Sequence, residues 1–258
     1  MARTVGFFTD VTLCIGCKAC EVACKEWNQL NGDQPHFLAD SLDNTGKLDA
    51  ENWRHVKFIE WDRPGQGLAW TMMSDVCKHC ALASCMEVCP TNAIIRTEFD
   101  TVYIQPDVCN GCRDCIAACP YHVIGYSEQT GVAQKCTFCY GRLQANLTPA
   151  CAKACPTQSI QFGGLDEMRQ AARSRVAALH AQGVKEARLY GEQEYGGLHA
   201  LFLLMDKPEA YGLPNTESAV LPSRNNWTGY LGSVATAVAG VLVGVVAFRN
   251  RGVRAQER

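Results

Sequence analysis

Sixteen cysteines dominate this sequence, and their spacing constrains the fold more than any other feature. They fall into four groups of four with none left over. Groups one and three share the spacing Cys-x2-Cys-x2-Cys-x3-Cys, whereas groups two and four each have one wider gap. Three groups end in Cys-Pro, and the first group has Lys25 in place of the proline. In chain order the groups are Cys14, Cys17, Cys20 and Cys24; Cys77, Cys80, Cys85 and Cys89; Cys109, Cys112, Cys115 and Cys119; and Cys136, Cys139, Cys151 and Cys155.

Length and charge narrow the explanations for so many thiols. With 258 residues the chain is long enough to build a hydrophobic core without the disulfides that small secreted domains need. Its 24 basic and 26 acidic side chains argue against nucleic-acid binding. Cysteines only two residues apart bridge poorly, so the repeated triplets are not a disulfide pattern. Structural zinc favours two Cys-x-x-Cys pairs separated by a longer loop, which only group four resembles.

The spacing matches iron–sulfur ligation instead. Three close thiolates on a tight loop suit three corners of one cube, and the fourth cysteine, on the following helical turn, points to a second cube, as in bacterial two-cluster ferredoxins. We therefore expect four [4Fe–4S] clusters, each held by three cysteines of one group and the last cysteine of another. The expected ligand sets, named by their first member, are the Cys14 set (Cys14, Cys17, Cys20 and Cys155), the Cys77 set (Cys77, Cys80, Cys85 and Cys119), the Cys109 set (Cys109, Cys112, Cys115 and Cys89) and the Cys136 set (Cys136, Cys139, Cys151 and Cys24).

Basic and imidazole side chains also lie near these cysteines. Six basic residues either raise the reduction potential of a nearby cluster or are solvated surface charges, and the sequence leaves both interpretations open. They are Lys18, Lys25, Lys78, Arg113, Lys135 and Lys153. Because four thiolates are available for each cube, we expect structural or surface roles for His55, His79, His122 and His199. The sequence contains no nucleotide-binding fingerprint and no substrate-pocket motif, so no catalytic residue is expected.

The order of the groups predicts an α+β fold with two ferredoxin-like units, one inserted in the other. Residues 77–119 would form the inserted unit, with a β-hairpin between its two cluster loops, and residues 1–76 and 120–165 would form the outer unit. Cys155-Pro-Thr-Gln-Ser-Ile matches Cys89-Pro-Thr-Asn-Ala-Ile, as an internal duplication would. Within the outer unit, residues 28–52 predict a surface loop, and residues 53–62 and 68–73 predict paired strands.

The remainder of the chain predicts an extension and an anchor. In residues 166–206, apolar side chains from Leu165 to Leu179 recur at helical spacing, Gly183 is a natural helix stop, and residues 199–205 predict a buried strand. Residues 207–226 contain three prolines and predict a linker.

Residues 227–249 predict a transmembrane helix, followed by a basic tail at 250–258. The stretch 230–248 is almost wholly apolar or small, and its helix would be roughly 28 Å long, close to the hydrocarbon thickness. The alternative is a buried C-terminal helix. Arginines in the tail place it in the cytoplasm by the positive-inside rule and the cluster domain on the other side. The chain has no signal-peptide core at its start, so export would depend on a partner. Small residues repeat every fourth position and form a stripe suited to helix packing, unless they simply populate an apolar anchor: Gly232, Thr236, Gly240 and Gly244.

The cysteine segments resemble a known family. CIGCKACEVACKEWNQL, CKHCALASCMEVCP, CNGCRDCIAACP and CTFCYGRL with CAKACP resemble the four-cluster iron–sulfur subunits of molybdenum and tungsten oxidoreductases, over about residues 5–165. LDEMRQAARSRVAAL, GLHALFLL, the Tyr-Gly-Leu-Pro at 211–214 and the single C-terminal span resemble the β subunit of respiratory, membrane-bound formate dehydrogenase, over nearly the whole chain.

The resemblance implies a non-catalytic electron-transfer subunit. A molybdopterin catalytic (α) subunit would oxidise formate, and a membrane cytochrome b (γ) subunit would reduce quinone, so molybdopterin and haem belong to partners. The resemblance also implies that the Cys14 and Cys136 sets lie nearer the catalytic subunit and that the Cys77 and Cys109 sets lie nearer the membrane. Export would use the catalytic subunit's twin-arginine signal, and a higher oligomer of the complex is compatible with the resemblance. The alternatives are the same relay in a hydrogenase, a polysulfide or sulfoxide reductase or a nitrate-type enzyme, and a stand-alone polyferredoxin or assembly scaffold.

Overall fold

The computed structural model describes residues 4–32, 43, 45–63, 67–214 and 227–256. This part of the chain contains ten β-strands and seven α-helices. The strands are β1 (Val5–Asp10), β2 (Arg54–Arg63), β3 (Gly67–Val76), β4 (Ile94–Arg96), β5 (Val102–Ile104), β6 (Gly125–Ser127), β7 (Val132–Gln134), β8 (Ile160–Gly164), β9 (Arg188–Tyr190) and β10 (Ala200–Leu204). The helices are α1 (Ala19–Asn28), α2 (Ser84–Glu87), α3 (Asp114–Ala117), α4 (Tyr140–Gln144), α5 (Ala150–Ala154), α6 (Leu165–Ala181) and α7 (Trp227–Gln256). The chain divides into two compact units, Met1–Ala219 and Val220–Arg258.

A four-stranded sheet with the order β8-β1-β10-β9 organises the first unit. β1 is antiparallel to β8 and parallel to β10, so strands from both ends of the unit meet in one sheet. All six residues of β1 are buried because both edges of the strand are paired and both of its faces are covered. Successive side chains point to opposite faces, so Phe8 packs with α6 while Phe7 faces the cysteine-rich core.

The helix and strand predicted for the extension are confirmed. α6 begins at Leu165 and ends at Ala181, and Gly183 takes a positive φ of 89° just beyond it. β10 lies within the predicted stretch 199–205, and all five of its residues are buried. The parallel pairing of β10 with β1 joins residues more than 190 positions apart, and no local pattern predicts it.

Three antiparallel β-hairpins lie between successive cysteine groups along the chain. β2 and β3 pair along ten residues each, which confirms the strands predicted at 53–62 and 68–73. β4 and β5 form the hairpin predicted between groups two and three. β6 and β7 form an equivalent hairpin between groups three and four that the sequence patterns did not predict.

The surface loop predicted at 28–52 is wrong for the described residues near its end. Asp43, Leu48, Ala50 and Asn52 are all buried. Asp43 pairs with a buried histidine, and Leu48 packs into the main core, so polarity of composition did not mean exposure here. Other described residues of this stretch are exposed as predicted: Gln29, Asn31, Gly32, Gly46 and Lys47. Residues 33–42 and 44 lie outside the described residues.

The predicted linker differs from the structure in its first part. Pro208–Tyr211 form a 3-10 turn, and Tyr211 and Leu213 are buried in the main core, so the compact body extends at least to residue 214. Residues 215–226 lie outside the described residues.

The second unit contains α7. Its stretch Trp227–Arg249 has a mean hydropathy of 2.2 and is long and apolar enough to cross a membrane.

Candidate iron–sulfur sites

Each cysteine group begins with the same left-handed backbone conformation. The residue before the second cysteine has a positive φ in all four groups: Gly16, His79, Gly111 and Phe138. A Cβ on Gly111 would lie 2.5 Å from the carbonyl oxygen of Gly131, so only glycine fits there. For a side-chain-bearing residue this conformation costs ~1–2 kcal/mol. The strain at His79 and Phe138 is offset by tertiary contacts, since His79 Nδ1 accepts the Val102 N–H at 3.1 Å and Phe138 is fully buried.

The third cysteine of each group lies in a helix, and the presence or absence of a proline after the fourth cysteine determines the length of that helix. α2, α3 and α5 have four or five residues and end before Cys-Pro, because proline lacks an N–H and disfavours helical geometry in the residue before it. Lys25 imposes no such stop, so α1 continues for ten residues and contains both Cys20 and Cys24.

The three Cys-Pro segments close in identical turns. The third residue after each cysteine has a positive φ and donates its N–H to that cysteine's carbonyl oxygen. The pairs are Asn92 to Cys89 at 3.3 Å, His122 to Cys119 at 3.2 Å and Gln158 to Cys155 at 3.3 Å. The turn directs other donors at the sulfur: burial disfavours the Cys89 thiolate, but hydrogen bonds from Thr91 and from backbone N–H groups outweigh it and lower the pKa of Cys89.

The fourth cysteines of groups two and three each lie near thiols of the other group. The thiol of Cys80 interacts electrostatically with those of Cys77, Cys85 and Cys119. The thiol of Cys115 interacts with those of Cys109, Cys112 and Cys89. α2 and α3 pack against each other, which places each fourth cysteine beside the other group's loop.

The fourth cysteines of groups one and four likewise lie near thiols of the other group, across a longer sequence separation. α1 packs against α5, and the thiol of Cys24 interacts with those of Cys136, Cys151 and Cys139. The thiol of Cys14 interacts with those of Cys155 and Cys17. One cavity is lined by all four members of the Cys14 set: Cys14, Cys17, Cys20 and Cys155.

Interactions between the sets run in a linear order. Cys20 of the Cys14 set interacts with Cys151 of the Cys136 set, and Cys136 interacts with Cys77. Cys85 of the Cys77 set interacts with Cys115 of the Cys109 set. The order is therefore Cys14, Cys136, Cys77, Cys109. Of the sixteen cysteines, only Cys17 and Cys112 are exposed, and they belong to the two end sets.

The donor set fits a sulfur-rich, anionic cofactor. All sixteen cysteines are free thiols. Burial raises the pKa of Cys20 to about 12 and that of Cys139 to about 11, so these ligands would keep their protons until iron binds and displaces them. Within the described residues, no three His, Cys, Asp or Glu side chains converge closely enough to hold a single metal ion.

Buried basic side chains lie among the thiols, and only some of them belong to the six basic residues identified from the sequence. Lys78 and Lys135 are buried, with Lys135 Nζ donating to the carbonyl of Cys136 at 3.1 Å, whereas Arg113 and Lys153 are exposed. Sequence reasoning missed Arg54, whose Nη2 lies 3.2 Å from Cys151 Sγ, 97 residues away. An arginine opening a predicted strand carries no local signal of such a contact.

The histidines occupy structural or surface positions. His55 is fully buried, with Nε2 2.8 Å from Asp43 Oδ2 and Nδ1 3.6 Å from Glu21 Oε1. Burial disfavours its charged form, but the two carboxylates prevail and raise the pKa of His55 to about 9. His199 Nδ1 lies 2.9 Å from the Val5 carbonyl oxygen, and His122 is exposed.

The small-residue stripe of α7 is open. Gly232, Thr236, Gly240 and Gly244 are exposed, and a Cβ built on any of the three glycines would meet no described atom within 4 Å. Thr236 donates its hydroxyl to the Gly232 carbonyl at 2.8 Å, which satisfies the hydroxyl within the helix.

Two models of the 4Fe-4S dicluster domain match the chain, over residues 13–93 and 68–165. The nitrate-inducible formate dehydrogenase iron–sulfur subunit of Escherichia coli is 38% identical, over 88% of this chain and 78% of its own length. The formate dehydrogenase iron–sulfur subunit of Haemophilus influenzae is 39% identical, over 90% and 75%. A subunit of the anaerobic dimethyl sulfoxide reductase of E. coli is 34% identical, over 66% and 78%. With its dicluster domains and these relatives, the chain belongs to the family of formate dehydrogenase iron–sulfur subunits.

Proposed function

We propose that this chain holds four [4Fe–4S] clusters and relays electrons from a formate-oxidising molybdopterin subunit to a membrane cytochrome b subunit. The observation that carries the proposal is the proximity of each fourth cysteine to thiols of another group, which supports a division of the sixteen free thiols into four sets of four. A bound cluster supplies one-electron storage, and the chain supplies thiolates, N–H donors and buried positive charge. The ligand sets are the Cys14, Cys77, Cys109 and Cys136 sets.

The linear order of the sets gives the relay its path through the chain. The two end sets each expose one cysteine, and each has an exposed apolar residue beside its loop, Ile15 (57% exposed) and Val108 (43%). Exposed apolar residues of this kind suit the docking of a partner subunit close to a terminal cluster. In this proposal the Cys14 set faces the catalytic subunit and the Cys109 set faces the membrane subunit.

The unit arrangement follows from the same division into sets. Residues 77–119 form the inserted ferredoxin-like unit, and residues 1–76 with 120–165 form the outer unit. Support comes from β1 and β8, which pair at the two ends of the outer unit, and from α1 and α5, which pack together across the insertion.

Formate is the proposed substrate of the complex because of how far the relatives align. Two formate dehydrogenase subunits align over 88–90% of the chain and a third over 80%, whereas the dimethyl sulfoxide reductase subunit aligns over 66%. No residue of this chain is proposed to contact formate, since molybdopterin belongs to the catalytic subunit.

α7 is the proposed membrane anchor. Its mean hydropathy of 2.2 over Trp227–Arg249 supports a single span. Arginines at 249, 251, 254 and 258 favour a cytoplasmic tail and an extracytoplasmic cluster domain. The stripe at Gly240 and Gly244 would then contact a helix of the cytochrome b subunit.

The test is gentle purification from membranes, followed by iron analysis and anaerobic addition of formate. We expect ~16 iron atoms per chain beyond the iron that the partner subunits contribute, a large molybdopterin partner, and loss of the broad visible absorption of oxidised clusters when formate is added. Hydrogen or dimethyl sulfide added alone serves as the control. Bleaching by hydrogen instead of formate, or an iron content of half the expected value, would contradict the proposal.

A further inference from the structure

Arg54 is buried between two of the ligand sets, and the relay alone does not explain it. Its exposed fraction is 2%, and it opens β2, with the Cys14 set and the Cys136 set around it. A buried charge without compensation costs several kcal/mol, so an arginine here requires an anionic neighbour.

The guanidinium contacts both sets through short links. Nη2 lies 3.2 Å from the sulfur of Cys151 in the Cys136 set. Nη1 lies 3.3 Å from Ser74 Oγ, which lies 3.2 Å from the sulfur of Cys20 in the Cys14 set. One side chain therefore joins a ligand of each set.

Its surroundings otherwise offer little compensation for the charge. In the described part of the chain, Arg54 forms no ion pair with a carboxylate, and its buried Nε–H has no hydrogen-bond partner. The ring of Phe7 lies 5.0 Å from the guanidinium carbon, and the strongest charge interactions are with the thiols of Cys151 and Cys20. The anionic neighbour that the site requires is therefore sulfur-borne.

We propose that Arg54 is a shared counter-charge that raises the reduction potentials of the clusters in both the Cys14 and the Cys136 sets. The inference rests on the proposed function, because it assumes that both sets hold clusters. A cluster becomes more negative on reduction, so a fixed positive charge close to it stabilises the reduced form. Because Arg54 lies between the two sets, it raises both potentials together and leaves the potential difference between the two clusters nearly unchanged.

The experiment compares Arg54→Gln, Arg54→Lys and Lys153→Gln chains in the purified complex by redox titration followed with electron paramagnetic resonance. Cys17→Ala and Cys139→Ala chains identify the signals of the Cys14 and Cys136 sets. Lys153→Gln is the matched control, because it removes one positive charge between Cys151 and Cys155 in sequence but from an exposed position. Iron content is measured for every chain.

In Arg54→Gln we expect both midpoint potentials to fall by at least ~59 mV, a tenfold change in a one-electron equilibrium. Arg54→Lys keeps the charge and should shift them by less than half as much, and Lys153→Gln should leave them near those of the unaltered complex. Potentials in Arg54→Gln that match Lys153→Gln, or a shift confined to one set, would overturn the inference.

An Arg54→Met chain keeps the inference testable if Arg54→Gln does not load iron, because methionine removes the charge without adding a polar group to the buried site. Both potentials should fall in Arg54→Met as in Arg54→Gln. Potentials in Arg54→Met that match those of Lys153→Gln would overturn the inference. An unaltered complex that lacks clusters would instead defeat the proposed function, so the two failures are distinguishable.

Discussion

The ring of Phe138 stacks on the ring of Phe7 with centroids 4.1 Å apart and planes 11° from parallel. Phe7 belongs to β1, one of the two inner strands of the sheet, and Phe138 lies in the left-handed turn between Cys136 and Cys139. The stack therefore attaches a strained cysteine loop to a fully buried strand.

Phe138→Ala should destabilise the protein by ~3–5 kcal/mol, because it removes a fully buried ring and leaves a cavity beneath the loop. The measurement is the urea midpoint of the holoprotein together with the signal of the Cys136 set. Leu68→Ala, at a residue 72% exposed, should change the midpoint little. Equal midpoints for the two variants would show that the stack does not stabilise the loop.

Cys24→Ala should damage the cluster of the Cys136 set and leave that of the Cys14 set largely intact, although Cys24 follows Cys14, Cys17 and Cys20 in sequence. The reason is the interaction of its thiol with Cys136, Cys151 and Cys139. Electron paramagnetic resonance checks the result, with Cys17→Ala as the reciprocal control. Loss of the Cys14-set signal in Cys24→Ala would show that the assignment of Cys24 to the Cys136 set is wrong.

His55→Gln should reduce stability at pH 6 but much less at pH 10. The folded pKa of His55 is raised from 6.5 to about 9, so its ion pairs with Asp43 and Glu21 contribute fully below about pH 6.5 and are lost as the pH rises through 9. The expected difference is of order 1–3 kcal/mol at the lower pH.

The apparent melting temperature across this pH range measures the effect. His122→Gln is the matched control, because His122 is exposed and glutamine already occupies the equivalent turn position at Gln158. A pH-independent gap between the unaltered protein and His55→Gln would contradict the assignment of a charged, paired His55.

Replacing Gly240 and Gly244 together with leucine should release the membrane partner in mild detergent, because the added side chains close the small-residue stripe. Co-purification of the cytochrome b subunit is the measurement. Val241→Leu with Val245→Leu has the same spacing on a neighbouring face of α7 and should leave the complex intact. A complex unaffected by the glycine replacements would exclude this stripe as the contact.

Local patterns in the sequence predicted much of the secondary structure near the sites. The ligand spacing, the hairpin at 94–104 and the helix from Leu165 all follow from short-range preferences, since tight turns, alternation and helical periodicity involve residues close in the chain. Cys-Pro likewise accounts for the short helices, because the proline effect is local.

Tertiary structure decided the features that depend on distant residues. The burial of Asp43 and Leu48 follows from contacts with His55 and the main core, not from the polar composition around them. Positive φ at His79 and Phe138 is tolerated only because Val102 and Phe7 hold them, and neither residue type predicts it.

The sequence by itself determined that sixteen cysteines form repeated ligand groups of ferredoxin type and that one long apolar helix ends the chain. Only the tertiary structure decided that β1 lies between β8 and β10, that each fourth cysteine lies near thiols of another group, and that Arg54 lies 3.2 Å from the sulfur of Cys151. Ligand spacing is set by residues that are close together in the chain, whereas the position of a buried charge depends on which distant segments pack together.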